Sequence, residues 1–225
     1  MRRLLKSHTT RAFRAAVRDI VDEARIQQKH FHALGLLHKM RVQPPYKIQL
    51  GCGPSVKPGW INIDLFKKEA DLHLDLREPL PFPDNSAVQI YSEHFFEHLT
   101  YPEEVNHLLA ESLRVLQPDG LFGIGVPDTV WPLQSYVNRW DDYFSFSHGQ
   151  GFLPKGCDTH MDVINEHFRG FPRGKWGHKY AYDLETLVKV LQQAGFIGIT
   201  PRNFDPSIDS ELRKIGSLYV DAHKP

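Results

Sequence analysis

The sequence predicts an α/β protein built around a mainly parallel β-sheet. An apolar strand at 46–50 runs directly into a turn containing Gly51 and Gly53, and a second short strand follows at 60–64. Further along the chain, short apolar strands alternate with amphipathic helices, which is the pattern of parallel sheets. With 225 residues, of which 41% are hydrophobic, the chain is long enough to bury one sizeable core.

Seven strands are expected from the runs of apolar residues between turn signals. They are placed at 46–50, 60–64, 71–75, 88–92, 120–126, 197–204 and 217–223. Two helices between them have clear start signals. The helix at 102–116 opens with Pro102 and two acids in its first turn, and the helix at 183–194 begins at Asp183 and ends at Gly195.

The first forty residues are predicted to form one or two amphipathic helices. Residues 9–40 lack proline, and Thr9 or Thr10 can cap the start. The apolar positions at helical spacing are Phe13, Val17, Ile20, Ala24 and Phe31. We therefore expect a helical arm or lid at 1–43, followed by a core domain at 44–225. The arm is expected to pack on the sheet, to cover the cofactor, to offer a surface to an anionic acceptor, or to join two copies of the chain as a homodimer.

The glycine turn and the acid that ends the second strand indicate a ligand containing a nucleoside. Glycines let a ligand approach the backbone closely, and an acid at this position can accept hydrogen bonds from ribose hydroxyls. A dinucleotide site would require G-x-G-x-x-G at the start of a full helix and an acid about 20 residues later. Here Asp64 follows Gly51 by 13 positions and Pro54 interrupts the turn, which disfavours a nicotinamide-dependent oxidoreductase. S-adenosylmethionine carries no phosphate and fits the shorter turn.

Further motifs follow in order and resemble one family. They are D-L-H-L-D-L at 71–76, L-P-F-P at 80–83, S-E-H-F-F-E-H-L at 92–99 and L-R-V-L-Q-P-D-G at 113–120. From about 46 to 225 the chain resembles the type-11 group of class I methyltransferases. It is most similar to the short members that carry G-W-I-N-x-D, here at 59–64, and G-H-K-x-A-Y-D, here at 177–183. Members of that group resemble enzymes of sugar and polysaccharide chemistry.

The resemblance implies a Rossmann-like class I methyltransferase fold with an antiparallel last strand and S-adenosylmethionine as cofactor. The residues it implies at the cofactor are Leu50, Gly51, Cys52, Gly53, Asp64, Leu65, Asp75, Leu76, Ser92 and His94. One departure concerns the helix that the fold normally has between its first two strands. Only residues 54–60 are available, including two prolines and a glycine, so this helix is expected to be missing or a single turn. The N-terminal helices are the expected cover for the exposed part of the sheet.

Candidate catalytic residues lie where strands are expected to end. Methyl transfer needs donor and acceptor aligned, and a base only when a hydroxyl must lose its proton, a task suited to histidine. The candidates are His94, His98, Asp128, His167 and His178. The last two belong to a long aromatic and polar insertion at 129–180, which is expected to form the acceptor pocket.

The expected activity is methylation of a small molecule or a glycan, on oxygen and with a histidine base. Two other functions stay open, namely N-methylation of a natural product or protein, and a non-catalytic partner subunit that binds the cofactor. No metal is expected, because the chemistry does not need one. In addition, the spacing of Cys157, His160, His167 and His178 matches no standard zinc pattern.

Composition excludes several classes of protein. The formal net charge is zero, which gives no global indication of nucleic-acid binding. No apolar run approaches the ~18 residues of a membrane span. Two cysteines cannot form a disulfide framework, so a reducing cytoplasm is the expected location.

Overall fold

The computed structural model describes residues 9–40, 42–151, 153–170 and 175–225. Its sheet contains strands β1 (Tyr46–Leu50), β2 (Ile61–Ile63), β3 (Ala87–Glu93), β4 (Leu116–Pro127), β5 (Ile197–Arg202) and β6 (Ser217–His223). The strand order is β2-β1-β3-β4-β6-β5. Strands β1 to β4 pair in parallel, and β6 runs antiparallel to both of its neighbours, β4 and β5. The predicted parallel sheet with a reversed last strand is therefore confirmed.

The three predicted helices begin and end close to the predicted positions, and three further helices form in the insertion. They are α1 (Arg11–Leu37), α2 (Glu103–Val115), α3 (Val130–Asn138), α4 (Asp142–Gly149), α5 (His160–Arg169) and α6 (Leu184–Ala194). At the start of α1, the Thr10 side chain accepts a hydrogen bond from a backbone N–H one turn ahead. Asp183 caps α6 in the same way, and Gly195 ends it in the left-handed conformation with φ 99°.

The prediction of a strand at 71–75 is wrong, because only an isolated bridge joins Leu72 to Ile63 in this region. Pairing stops there because the next backbone groups find other partners. The N–H of Asp75 donates to the ring of His30, which belongs to α1, at 3.1 Å. A contact with α1 thus replaces continued pairing with β2, and the sheet has six strands where seven were expected.

The connection from β1 to β2 contains no helix among its residues 51–60, as predicted. Part of the adjacent sheet surface is covered by the loop between β5 and β6. The hydroxyl of the buried Tyr91 donates to Asp209 of that loop at 2.6 Å, and Arg202 holds the same carboxylate at 2.6 and 2.7 Å. The ammonium of Lys57 lies 4.8 Å from the centre of the Tyr91 ring. At Tyr91 the cover is therefore a polar loop, where the sequence predicted the N-terminal helices.

Helix α1 packs through a different face from the one predicted. Its buried side chains are Ile26 and Ala33, and Ala33 joins the core formed by the sheet and the loop after β2. The predicted stripe faces solvent, as shown by Phe13, Ile20 and Phe31, which are 52%, 69% and 62% exposed. The segment between β2 and β3 contributes several apolar side chains to the same core, namely Leu72, Leu74, Leu76, Leu80 and Phe82. Within the described ranges, no helix has the length and apolar character needed to cross a bilayer.

The packing of α1 is tested by placing one charge on each face. Ala33→Glu buries an unpaired carboxylate and should lower the free energy of unfolding by about 2 kcal/mol or more. Ile20→Glu changes an exposed position and should stay within about 0.5 kcal/mol of the parent chain. Urea denaturation of both variants measures the difference. Equal losses would show that α1 does not pack through Ala33.

Candidate active site

The ends of β1, β2 and β3 meet at one edge of the sheet, where parallel α/β proteins place their ligands. Gly51 and Gly53 form the turn after β1 with φ angles of 65° and 55°, a region that favours glycine. The N–H of Gly53 donates to the Asp64 carboxylate at 3.0 Å. Ser92, near the end of β3, is buried and donates to the carbonyl of Leu50 at 3.2 Å. The edge is therefore cross-linked between all three strands.

Asp64 links the glycine turn to the loop that follows β2 through hydrogen bonds. Its second carboxylate oxygen accepts hydrogen bonds from the N–H groups of Phe66 and Lys67 at 2.8 and 2.9 Å. A carboxylate has about four lone-pair sites, so about one remains for a ligand hydroxyl. The next carbonyl, that of Leu65, accepts from Lys29 of α1 at 2.9 Å.

Asp75 lies farther along the same loop and is paired within the chain. Burial opposes ionisation, but hydrogen bonds from Arg77, as short as 2.6 Å, outweigh it and hold the pKa of Asp75 below its usual range. Arg77 also pairs with Glu23 of α1 at 3.1 Å and lies 5.6 Å from the ring of Trp176. Leu76 between them is buried. Helix α1 and the end of the 129–180 insertion thus meet over this loop.

These residues fit a nucleoside cofactor. A side chain at Gly53 would meet nothing within 4 Å, so its backbone is open to close approach. A Cβ at Gly51 would lie only 2.5 Å from the Phe95 ring, so an aromatic surface rests on the turn. Cys52 is buried, and burial raises the pKa of its thiol to about 12, which keeps it unreactive.

A cavity of about 570 Å³ lies beside the end of β3. Its polar and aromatic lining includes His94, Glu97, His98, Tyr143, Phe146, Glu166, His167, His178 and Arg213. Helices α4 and α5 of the insertion supply several of these side chains, and the loop between β5 and β6 supplies Arg213. The sequence predicted that the insertion forms a pocket, and its side chains line this one.

The five residues 94–98 separate the cavity from the glycine turn. Phe96 is buried and meets Phe122 of β4 edge-to-face at 6.1 Å, so it anchors the segment in the core. His94 has a left-handed backbone with φ 51°, an unusual conformation for a residue other than glycine. Phe95 therefore rests on the glycine turn, while His94, Glu97 and His98 line the cavity.

Glu97 is buried beside three imidazoles. Its side chain is 2% exposed, and neither carboxylate oxygen has a hydrogen-bond partner among the described residues. Its Oε1 lies 3.6 Å from His94 Nδ1, 3.9 Å from His98 Nε2 and 4.0 Å from His178 Nε2. Burial raises the pKa of Glu97 to about 8. Sequence reasoning did not rank Glu97, although the spacing H-x-x-E-H was a usable signal because i and i+3 side chains meet on one helical turn.

His178 is the most firmly held of these histidines. Its backbone N–H donates to the backbone carbonyl of Arg169 at 2.7 Å, and the Nδ1 of its ring lies 2.7 Å from the backbone carbonyl of His167. A Cβ at Gly170 would lie 2.2 Å from the His178 ring, so glycine is required there. Since a carbonyl only accepts, Nδ1 carries the hydrogen and Nε2 presents its lone pair toward Glu97. Burial lowers the pKa of His178 to about 4.

His94 and His98 occupy the cavity side of the same short segment. His94 Nε2 lies 2.7 Å from the hydroxyl of Ser217 on β6, and burial lowers the pKa of His94 well below its usual value. Burial also lowers the pKa of His98, whose Nδ1 is buried without a hydrogen-bond partner in the described part of the chain. Both rings are therefore neutral near pH 7 and can accept a proton.

The side chains of the remaining two predicted candidates already have hydrogen-bond partners. His167 lines the cavity, but its ring nitrogens lie 2.9 Å from the Tyr143 hydroxyl and 3.2 Å from the Thr129 hydroxyl. Asp128 is outside the cavity lining, and its carboxylate accepts from the N–H of Val130 at the start of α3.

Comparison with known families identifies the domain. Residues 60–124 match the methyltransferase domain family of type 11, a stretch that spans Asp64, Asp75 and the segment 94–98. The chain therefore contains a methyltransferase domain, for which S-adenosylmethionine is the cofactor. The match covers less than a third of its length and does not include the glycine turn, which the structure joins to Asp64.

Solved structures with a similar fold share little sequence identity with this chain. An S-adenosylmethionine-dependent methyltransferase from Methanosarcina mazei is 16% identical with a TM-score of 0.49, covering 84% of this chain and 96% of its own. One from Archaeoglobus fulgidus is 16% identical with a TM-score of 0.47, covering 91% and 99%. One from Thermotoga maritima, described as a possible histamine N-methyltransferase, is 13% identical with a TM-score of 0.47, covering 95% and 98%. No curated protein matched significantly, and nothing about the acceptor of this methyltransferase is taken from these likenesses.

The contact between Phe95 and the glycine turn is tested with two alanine variants. Gly51→Ala and Gly53→Ala share the strain of a left-handed backbone, roughly 1–2 kcal/mol. Only Gly51→Ala also collides with the Phe95 ring, so it should lose about 1–3 kcal/mol more in chemical denaturation. If the two variants are equally stable, Phe95 does not rest on Gly51.

Proposed function

We propose that this methyltransferase methylates a hydroxyl oxygen of a small polar molecule or glycan unit that binds in the 570 Å³ cavity. One observation carries the proposal. The segment 94–98 has Phe95 on the glycine turn and His94 on the cavity, so one strand end serves the cofactor on one side and the acceptor on the other. Methyl transfer requires this adjacency, because reacting atoms must come within about 3–3.5 Å.

In this proposal the first three strand ends bind S-adenosylmethionine. The cofactor supplies an electrophilic methyl group on a sulfonium. Asp64 accepts from the ribose through its remaining lone-pair site, and the open backbone at Gly53 admits the ligand. The carboxylate of Asp75 and the apolar surfaces of Leu65 and Leu76 lie on the same loop and would contact the rest of the nucleoside.

His94 is the proposed general base. It directly follows β3, it adjoins the residue that rests on the glycine turn, and the Ser217 hydroxyl orients its ring at 2.7 Å. Desolvation keeps the imidazole neutral at working pH, so it can accept the hydroxyl proton as the oxygen attacks. His167 is less suited to this role, because both of its ring nitrogens already have partners.

The lining of the cavity favours a polar acceptor. Tyr143 and Phe146 offer aromatic surface, while Glu166 and Arg213 add hydrogen-bonding and charged groups. No side-chain hydrogen bond or ion pair occupies the Arg213 guanidinium within the described ranges, so it can receive an anionic group. This combination suits a sugar ring or a comparable ring that carries a carboxylate or phosphate.

The experiment is a methyl-transfer screen with product analysis. Purified protein is incubated with S-adenosylmethionine and matched pairs of acceptors that carry either a hydroxyl or an amine, and S-adenosylhomocysteine is quantified. We expect turnover with hydroxyl acceptors and an O-methyl product. An N-methyl product alone would overturn the oxygen acceptor. Cofactor binding without turnover on any acceptor would support a non-catalytic subunit.

The cofactor site is tested with Asp64→Asn, which keeps the shape and removes the charge. Hydrogen bonds to charged groups are worth roughly 1.5–3 kcal/mol, so affinity for S-adenosylmethionine should fall by about 10- to 150-fold. Calorimetry measures this, with Asp71→Asn as the control, because among the described residues the Asp71 side chain accepts hydrogen bonds only from Asn62. Unchanged affinity in Asp64→Asn would remove this residue from the site.

The base is tested with His94→Gln, which keeps a polar group within reach of Ser217. Loss of a general base should reduce turnover by about 10²- to 10⁴-fold, while cofactor affinity is preserved. His160→Gln is the control, since that imidazole pairs with Asp141 outside the cavity lining. Near-normal turnover in His94→Gln would show that alignment alone drives the transfer.

A further inference from the structure

One cluster on the cavity wall is not explained by methyl transfer. Glu97, His98 and His178 each present one ligand atom, and these atoms all lie within 4.8 Å of one another. No other such group of three ligands occurs in the described part of the chain. In particular, the histidines of the insertion do not gather around Cys157, because His160 pairs with Asp141.

The cluster contains polar atoms that hydrogen bonding leaves unsatisfied. Both carboxylate oxygens of Glu97 and the Nδ1 of His98 are buried without partners among the described residues. A buried carboxylate normally has several donors, and leaving it unpaired costs free energy. The two unpaired oxygens of Glu97 indicate a missing positive partner beside the carboxylate.

The distances suit a shared cation better than direct hydrogen bonds. The contacts of Glu97 Oε1 with His98 Nε2 and His178 Nε2, at 3.9 and 4.0 Å, are too long for hydrogen bonds. Two ligands bound to one tetrahedral ion at about 2.1 Å are about 3.4 Å apart. All three ligand atoms lie within 4.8 Å of one another, so side-chain shifts of about 1 Å or less would bring them to this separation.

The surroundings of His178 match those of a metal ligand. Metal-binding histidines usually donate their second N–H to a carbonyl or carboxylate, which fixes the ring and raises its basicity. His178 donates Nδ1–H to the carbonyl of His167 at 2.7 Å and aims the lone pair of Nε2 at Glu97. The backbone carbonyl of Glu97 in turn accepts from the N–H of Lys179 at 2.7 Å, which ties the two ligand segments together.

We propose that Glu97, His98 and His178 bind a divalent transition-metal cation at the wall of the acceptor cavity. Two imidazoles and one carboxylate suit Zn²⁺, Co²⁺ or Fe²⁺, whereas Mg²⁺ and Ca²⁺ prefer oxygen ligands. Three protein ligands leave a coordination position facing the cavity, where a hydroxyl or carboxylate of an acceptor can bind. The site revises the expectation of no metal and requires neither the cofactor nor His94.

The test measures metal binding directly on the untagged full chain. The protein is stripped with a chelator and titrated with Zn²⁺ by calorimetry, and with Co²⁺ by visible absorption. We expect about one ion per chain, a tetrahedral or five-coordinate Co²⁺ spectrum, and no comparable binding of Mg²⁺. Absence of saturable binding to the stripped parent chain would overturn the proposal.

Variants of the proposed ligand residues test where the ion binds. Glu97→Gln and His98→Gln should each weaken Zn²⁺ binding by more than ~10-fold, and two ligands are tested so that poor folding of one variant does not decide the result. His160→Gln, which removes an imidazole paired with Asp141, should bind as the parent chain does. Equal binding by folded Glu97→Gln and the parent chain would place the metal elsewhere. Because binding is read without cofactor or acceptor, this outcome is independent of the methyl-transfer screen.

Discussion

The burial of Phe96 anchors in the core the segment that follows β3. This ring packs against Phe122 of β4, and it begins the short 3-10 turn 96–98. Phe95 is directed to the glycine turn, and His94, Glu97 and His98 line the cavity. The division between the proposed cofactor side and the proposed acceptor side is thus consistent with core packing.

Two other contacts make the same edge of the sheet a single unit. Asp64 connects the glycine turn with the loop after β2, and Ser92 connects β3 with β1. Above them, Glu23 of α1 pairs with both Arg77 and Lys175, so the N-terminal helix and the end of the insertion are joined over the loop.

Local sequence signals predicted most of the fold because they act within one turn or one strand. The cap at Asp183, the glycine end of α6 and the missing helix after β1 all depend on neighbouring residues. Long-range partners could not be read from the sequence. The contact of His30 with Asp75 ends the expected third strand, and the pairing of Tyr91 with Asp209 covers a surface assigned to the arm.

The sequence predicted where several candidate site residues lie, but it did not predict which side chains surround them. His94 and His98 lie beside a cavity because they directly follow a strand. The burial of Glu97 among imidazoles depends on His178, which lies some eighty residues farther along the chain. The most direct test of the account is a crystal structure with S-adenosylhomocysteine. We predict the ribose at Asp64 and the sulfur beside Phe95, open toward the cavity lined by His94. A nucleoside bound elsewhere, or a sulfur separated from that cavity, would contradict the account.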